Sequence, residues 1–217
     1  FLVVMLTIAY IFSYIDRSIL GLLIQPIKAD LGLSDEHIGW IIGPAFGVFY
    51  ATMGLPLGWL VDRRKRTWIV GIGIVVWSFA TAISGLSKSF AALFTARMAV
   101  GVGEATLSPA AFSMIGDSFP PEKRGKPIGF YAMALSLGAG IGSLISAFVI
   151  PWAKGGGMID AGVLGMLKPW QVTFFAVGLP GLVVALAFFF MQEPARRATV
   201  AQDDSLKGNG ILDALGY

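Results

Sequence analysis

Cysteine is absent from the 217 residues, histidine occurs once, as His37, and charged side chains make up only 13% of the chain. Without cysteine there is no disulfide framework, no thiolate nucleophile and no Cys-ligated zinc. A single histidine removes the usual metal clusters, so neither a metal nor a cofactor is expected. A soluble domain carries about 25% charged residues, roughly twice what is found here. Apolar and small residues take up the difference, with 56% hydrophobic side chains, 28 Gly and 11 Pro, and a mean hydropathy of +0.76. Glycine and proline at these levels are ordinary in membrane helices. Soluble enzymes, nucleic-acid binders and disordered tails are set aside, and the chain reads as an all-α integral membrane protein with the lipid bilayer as its solvent.

A spanning helix needs about 20 predominantly apolar residues. Six segments qualify, near Leu2–Lys28, His37–Val61, Thr67–Leu86, Phe90–Ile115, Pro127–Ile150 and Val172–Met191. Most connections are short, as antiparallel neighbours in a bundle require, and no alternation long enough for a β-barrel occurs. The first apolar stretch has no basic n-region or cleavage site, so the chain is expected to start within its first spanning helix. The Pro151–Pro169 loop, with Gly155, Gly156 and Gly157, reads as a flexible link with a short interfacial turn. The expected division is a six-helix bundle over 1–193 and a polar cytoplasmic linker over 194–217, within which Ile211–Leu215 is a possible helix start.

Basic residues mark one side. Arg63, Arg64, Lys65 and Arg66 follow span 2; Lys123, Arg124 and Lys126 follow span 4; Arg196 and Arg197 follow span 6. Only Lys28, Lys88, Lys154 and Lys168 lie opposite. By the positive-inside rule the first group and both ends are cytoplasmic, in a multi-pass protein of the cell (inner) membrane. The pI near 9.3 then needs no nucleic-acid partner.

Four ionisable residues fall well inside spans: Asp16 and Arg17 in span 1, Arg97 and Glu104 in span 4. Each costs roughly 2.5–3.5 kcal/mol at mid-bilayer on insertion scales, and such residues usually mark a substrate or ion path. Arg97 and Glu104 are two helical turns apart, about 10 Å along one face. They are too distant for a direct pair but able to border one cavity. Glu104, near the middle of its helix, is the leading proton-coupling candidate, with Asp16 second. Asp16 and Arg17 point about 100° apart; Asp16 is expected to face the cavity. A structural Asp16–Arg97 pair between spans 1 and 4 is the competing reading. No Ser/His, paired-Asp or metal constellation accompanies Glu104, which sets aside an intramembrane enzyme.

Gly43–Gly47, Gly54–Gly58 and Gly138–Gly142 have the GxxxG spacing that lets helices approach closely, and Gly101 and Gly103 thin span 4 beside Glu104. Pro44, Pro56, Pro109 and Pro180 lie within helices and permit bends. Trp40, Tyr50, Phe112, Phe130 and Tyr131 are candidate cavity aromatics. Trp68, Trp77, Trp152 and Trp170 are expected at interfaces or against lipid.

Gly58-x-x-x-Asp62-Arg63-x-x-Arg66 resembles the loop 2–3 signature of the major facilitator superfamily of transporters, in the right loop and on the expected side. Phe119–Gly125 resembles the related loop after span 4. Tyr14–Arg17, Ile27–Ser34 and Ala96–Ala105 resemble the spinster-like branch, the Arg97-x6-Glu104 stretch with Gly101-x-Gly103-Glu104-Ala105 being the most discriminating. The proline-containing helix-5 motif of drug antiporters is not matched by Ser136–Gly142. The resemblance implies the N-terminal six-helix half, two inverted three-helix repeats, facing a C-terminal six-helix bundle. It implies a cytoplasmic gate at Gly58, Asp62, Arg63 and Arg66, and a polar cluster of Asp16, Arg97 and Glu104 that couples protons to movement. Arg97, Arg17, Tyr50 and Tyr131 are the expected substrate contacts. The expected cargo is a small amphipathic molecule of the lysolipid or sphingoid type. A sugar-acid-type organic anion, or a non-transporting half that needs a partner, is the alternative.

Overall fold

A computed structural model describes residues 1–154, 157–162 and 165–196. Gly155, Gly156, Arg197 and the Ile211–Leu215 segment lie outside the described residues, as does the expected linker beyond Arg196.

The helices are α1 (Leu2–Leu22), α2 (Ile24–Leu31), α3 (Asp35–Ile42), α4 (Pro44–Arg63), α5 (Arg66–Ser84), α6 (Phe90–Glu104), α7 (Leu107–Ser118), α8 (Gly125–Lys154) and α9 (Pro169–Phe190). They make six candidate membrane spans, with α3–α4 and α6–α7 each forming one broken span. Both breaks have a chemical cause. Pro44 is the first residue of α4 and has no N–H to continue α3. Pro109 sits one turn into α7, where its missing N–H would leave the Ala105 carbonyl unpaired, and the helix interrupts at Ala105–Thr106. Ser34 caps α3, accepting from the His37 N–H at 3.2 Å. Arg124 closes the far end of α7, donating to the carbonyls of Gly116 at 2.7 Å and Phe119 at 3.0 Å.

The packing is layered by depth. One apolar cluster joins Leu6, Ala9, Ile74, Trp77, Met114 and Phe188 toward the basic side. Another joins Ile19, Ile27, Leu93, Trp170 and Phe174 toward the opposite side. Between them lies a buried polar layer of Ser13, Asp16, Thr81, Arg97 and Glu104. Lipid tails are as apolar as leucine, so helices in a membrane associate by close packing and internal hydrogen bonds. A Cβ at Gly103 would stand 2.8 Å from the backbone of Gly73 and of Trp77, and one at Gly178 would stand 2.8 Å from the Ser78 carbonyl. These contacts draw α5 against α6 and α9.

Several expectations change. Gly47, Gly54 and Gly58 meet nothing within 4 Å, so the spacings that contain them hold no helices together among the described residues. Trp77 and Trp170 are buried at 2% exposure each, not turned to lipid. Trp170 donates from Nε1 to Asp30 at 2.9 Å, and Lys168 pairs with the same carboxylate, which ties α2 to the start of α9. The loop expected to be flexible contains a short antiparallel ladder of β1 (Ile159–Asp160) and β2 (Met166–Leu167).

Candidate functional site

The four intramembrane charges form two ion pairs between α1 and α6. Arg97 Nη1 donates to Asp16 Oδ1 at 3.3 Å, and the Thr81 hydroxyl of α5 donates to the other oxygen of Asp16. Arg17 Nε donates to Glu104 Oε2 at 2.6 Å, and the same oxygen accepts from the Ser13 hydroxyl at 2.6 Å. Helical side chains lean toward the N-terminus. Arg17 therefore turns back one turn, and its Nη2 reaches Ser13 at 2.8 Å. That lean lets two adjacent residues of α1 meet partners two turns apart on α6.

The pairs differ in exposure. Asp16 and Arg97 are each 2% exposed, enclosed by α1, α5 and α6. Arg97 does not stand in the open, because Asp16 and the surrounding helices hold it in the interior. Asp16 is likewise turned into the bundle, contrary to the expectation that it faces the cavity. Arg17 is the more open member of its pair, with 30% of its side chain exposed against 0% for Glu104. Its guanidinium carbon lies 5.0 Å from the Phe46 ring and 5.3 Å from the Tyr50 ring. A cation over an aromatic face gains about 0.5–1 kcal/mol at exposed sites.

Tyr50 is half-buried, and its hydroxyl meets that of Ser108 at 3.5 Å. Tyr131 is 2% exposed, stacked against Tyr10 at 4.8 Å with Phe112 edge-on at 5.8 Å. In this conformation Tyr131 supports the site from behind and offers no open surface to a solute. Two polar atoms stand out: Glu104 Oε1 and Arg97 Nε are buried with no hydrogen-bond partner among the described residues. Such atoms are costly in a low-dielectric interior, so their retention needs an explanation.

Two kinds of exposed surface result. Tyr10, Tyr14, Arg17, Tyr50 and Phe112 give α1, α4 and α7 a polar-aromatic face. On α5, Trp68, Ile72, Val76, Phe79 and Ile83 are exposed at helical spacing with no polar residue among them, as a lipid-facing stripe requires.

The residues of the expected cytoplasmic gate have different surroundings. Arg66 is 1% exposed and bonds within the bundle: Nε to Glu193 at 2.9 Å, Nη1 to Ser113 at 2.9 Å and to Asp117, and Nη2 to the Pro194 carbonyl at 2.9 Å. It joins the ends of α5, α7 and α9 from inside the bundle. Arg63 lies 4.0 Å from the ring of Trp59 on its own helix, and Asp62 is exposed. Gly58 has open space beside it. Arg196, unassigned by sequence beyond its charge, donates to the carbonyls of Val61 at 2.8 Å, Arg64 at 2.7 Å and Asp62. A guanidinium at a helix C-terminus satisfies carbonyls that the helix itself cannot.

Six candidate spans, a charged layer between two apolar clusters and one polar-aromatic face define a polytopic helical membrane protein. Residues 6–213 match the family model of the Major Facilitator Superfamily, and the chain belongs to that superfamily. It is 32% identical over 86% of its length to a probable L-galactonate transporter of Escherichia coli (strain K12), covering 38% of that protein. It is 27% identical over 90% of its length to Protein spinster of Drosophila melanogaster, covering 30% of it. The crystal structure of a bacterial homolog to the human lysosomal transporter Spinster, inward-facing and occupied, superposes with a TM-score of 0.79 at 32% identity. That match covers 89% of this chain and 44% of the other. The chain thus spans less than half the length of these relatives, and the expected N-terminal half-bundle and spinster-like resemblance are borne out.

Proposed function

We infer that the full-length protein is a secondary transporter working by alternating access, in which Arg17 receives the acid group of an organic anion and Glu104 carries the coupled proton. One observation supports this above the others: Arg17, the only intramembrane cation on the polar-aromatic face among the described residues, is bonded to a fully buried carboxylate. Glu104 uses Oε2 for both of its bonds and leaves Oε1 without a partner, which gives a proton an unoccupied oxygen. A proton there cancels the charge that holds Arg17. Arg17 then pairs with the incoming anion, so proton and anion load together with no net charge added to the low-dielectric layer. A substrate carrying one acid group fits a single available guanidinium, and the Phe46 and Tyr50 rings offer an apolar surface beside it.

Binding of this kind favours one arrangement of two helix bundles over the other, and about 5.5 kcal/mol of differential affinity inverts a 1:99 population. The site lies near the midplane and faces a C-terminal bundle, with 1–193 as the first wall and 194–217 as the linker between halves. The basic loops and both ends lie in the cytoplasm, and the cell membrane is the location. Asp16 has a structural role, holding Arg97 and Thr81 in place, and is the second proton-coupling candidate.

Two cargo classes compete. The aromatic surround supports an amphipathic anion such as a lysolipid, and the sugar-acid transporter relative supports a hexonate or hexuronate. Uptake into proteoliposomes of the full-length protein separates them, measured with a labelled lysophospholipid and a labelled hexuronate, with and without Arg17→Gln. Uptake of one class should depend on Arg17; undiminished uptake of both in the variant would overturn the proposal.

A further inference from the structure

Arg63, Arg64, Lys65 and Arg66 form one basic run, yet the structure gives them different employment. Arg66 is consumed by internal bonds, and Arg63 lies on Trp59. Arg64 and Lys65 are exposed, and among the described residues neither forms an ion pair. Both stand at the mouth of a cavity of about 470 Å³ lined further by Leu60, Trp68, Ile69 and Ile72. A second cavity of about 180 Å³ shares Leu60, Ile69 and Ile72 and continues to Val76, Val102 and Gly103. Together they make one cleft between α4, α5 and α6, basic at its mouth and apolar along its length.

We propose that this cleft binds one anionic phospholipid, with its phosphate between Arg64 and Lys65 and an acyl chain along Ile69, Ile72 and Val76. Its location supports a lipid. The cleft runs beside the lipid-facing stripe of α5, and Trp68 stands at its mouth, where an indole belongs at the headgroup level. From Lys65 to Val76 the helix rises about 16 Å, half the hydrocarbon thickness of about 30 Å. That depth matches one leaflet, on the side of the basic loops. Charge complementarity supports an anionic headgroup, since no carboxylate lines either cavity. The carboxylate of Asp62 is exposed on α4, and Glu193 is bonded to Arg66. The Lys65 ammonium, 5.4 Å from the Trp68 ring, is positioned at the headgroup level.

The test is native mass spectrometry of the full-length protein in detergent titrated with phosphatidylglycerol or phosphatidylcholine of the same chains. The wild type retains phosphatidylglycerol preferentially, and Arg64→Gln/Lys65→Gln lowers that preference by roughly thirty-fold, two basic charges being lost at the surface. Lys123→Gln/Lys126→Gln removes as much charge from exposed positions just before and at the start of α8 on the same side and leaves the preference intact. Equal retention of both lipids by the wild type overturns the proposal. So does an equal loss in the Lys123/Lys126 variant, which would make the effect one of general charge.

Discussion

Replacing Arg17 by Gln removes the cation bonded to Glu104 and keeps much of the side-chain length. Glu104 Oε2 then retains only the Ser13 hydroxyl, and Oε1 has no partner to take up the deficit. Breaking a fully buried pair by removing one member costs about 3–5 kcal/mol. Arg17 keeps 30% of its side chain exposed, so screening lowers the expected loss to about 2–3 kcal/mol. Glu104→Gln is milder, about 1 kcal/mol, because the stranded guanidinium is partly solvated and keeps its aromatic neighbours. The double variant places two neutral amides side by side and regains about 1–2 kcal/mol relative to the sum of the single losses, the signature of direct coupling. Thermal unfolding of the detergent-purified protein, followed by near-UV circular dichroism, reads these differences. Additive single losses would refute the coupling between these two groups.

The helix contacts and the Arg66 hub carry further expectations. Gly103→Ala adds a Cβ 2.8 Å from the backbone of Gly73 and Trp77, which cannot rotate away, and should destabilise the bundle by about 1–3 kcal/mol, seen as a lower melting temperature. Gly54→Ala meets open space and should leave the melting temperature unchanged. Arg66→Lys keeps the charge but cannot span acceptors on Ser113, Asp117, Glu193 and Pro194 in one planar fork. It should cost about 1–2 kcal/mol and hasten tryptic cleavage near Arg196, with Arg66→Met costing more.

Hydropathy and the side preference of Lys and Arg made the six spans legible, because both signals are averaged over about 20 residues. Pro44 reads from sequence as a bend within span 2; the structure makes it a full break, with Pro44 the first residue of α4, because proline cannot donate to continue α3. The rotation of α1 was not. Adjacent Asp16 and Arg17 had to diverge by about 100°, but which one faced inward depended on Thr81, a residue 65 positions away with no distinguishing pattern. GxxxG spacing was a partial guide for a related reason. Gly138 and Gly142 have it and lie against Tyr14 and Ser18 of α1, while Gly54 and Gly58 have it and face open space, and Gly73, Gly103 and Gly178 make close approaches without it. The basic run Arg63–Arg66 was legible as charge, yet the burial of Arg66 depends on where α7 and α9 end, beyond the reach of any local motif.

The proposed transport cycle turns on Glu104 as the carrier of the coupled proton. Its most direct test is solute accumulation driven by an imposed pH gradient in proteoliposomes, set beside solute exchange at equal pH, for the wild type and Glu104→Gln. The variant should lose gradient-driven accumulation and retain exchange; accumulation at the wild-type level with its pH dependence intact would rule out Glu104 as the proton carrier.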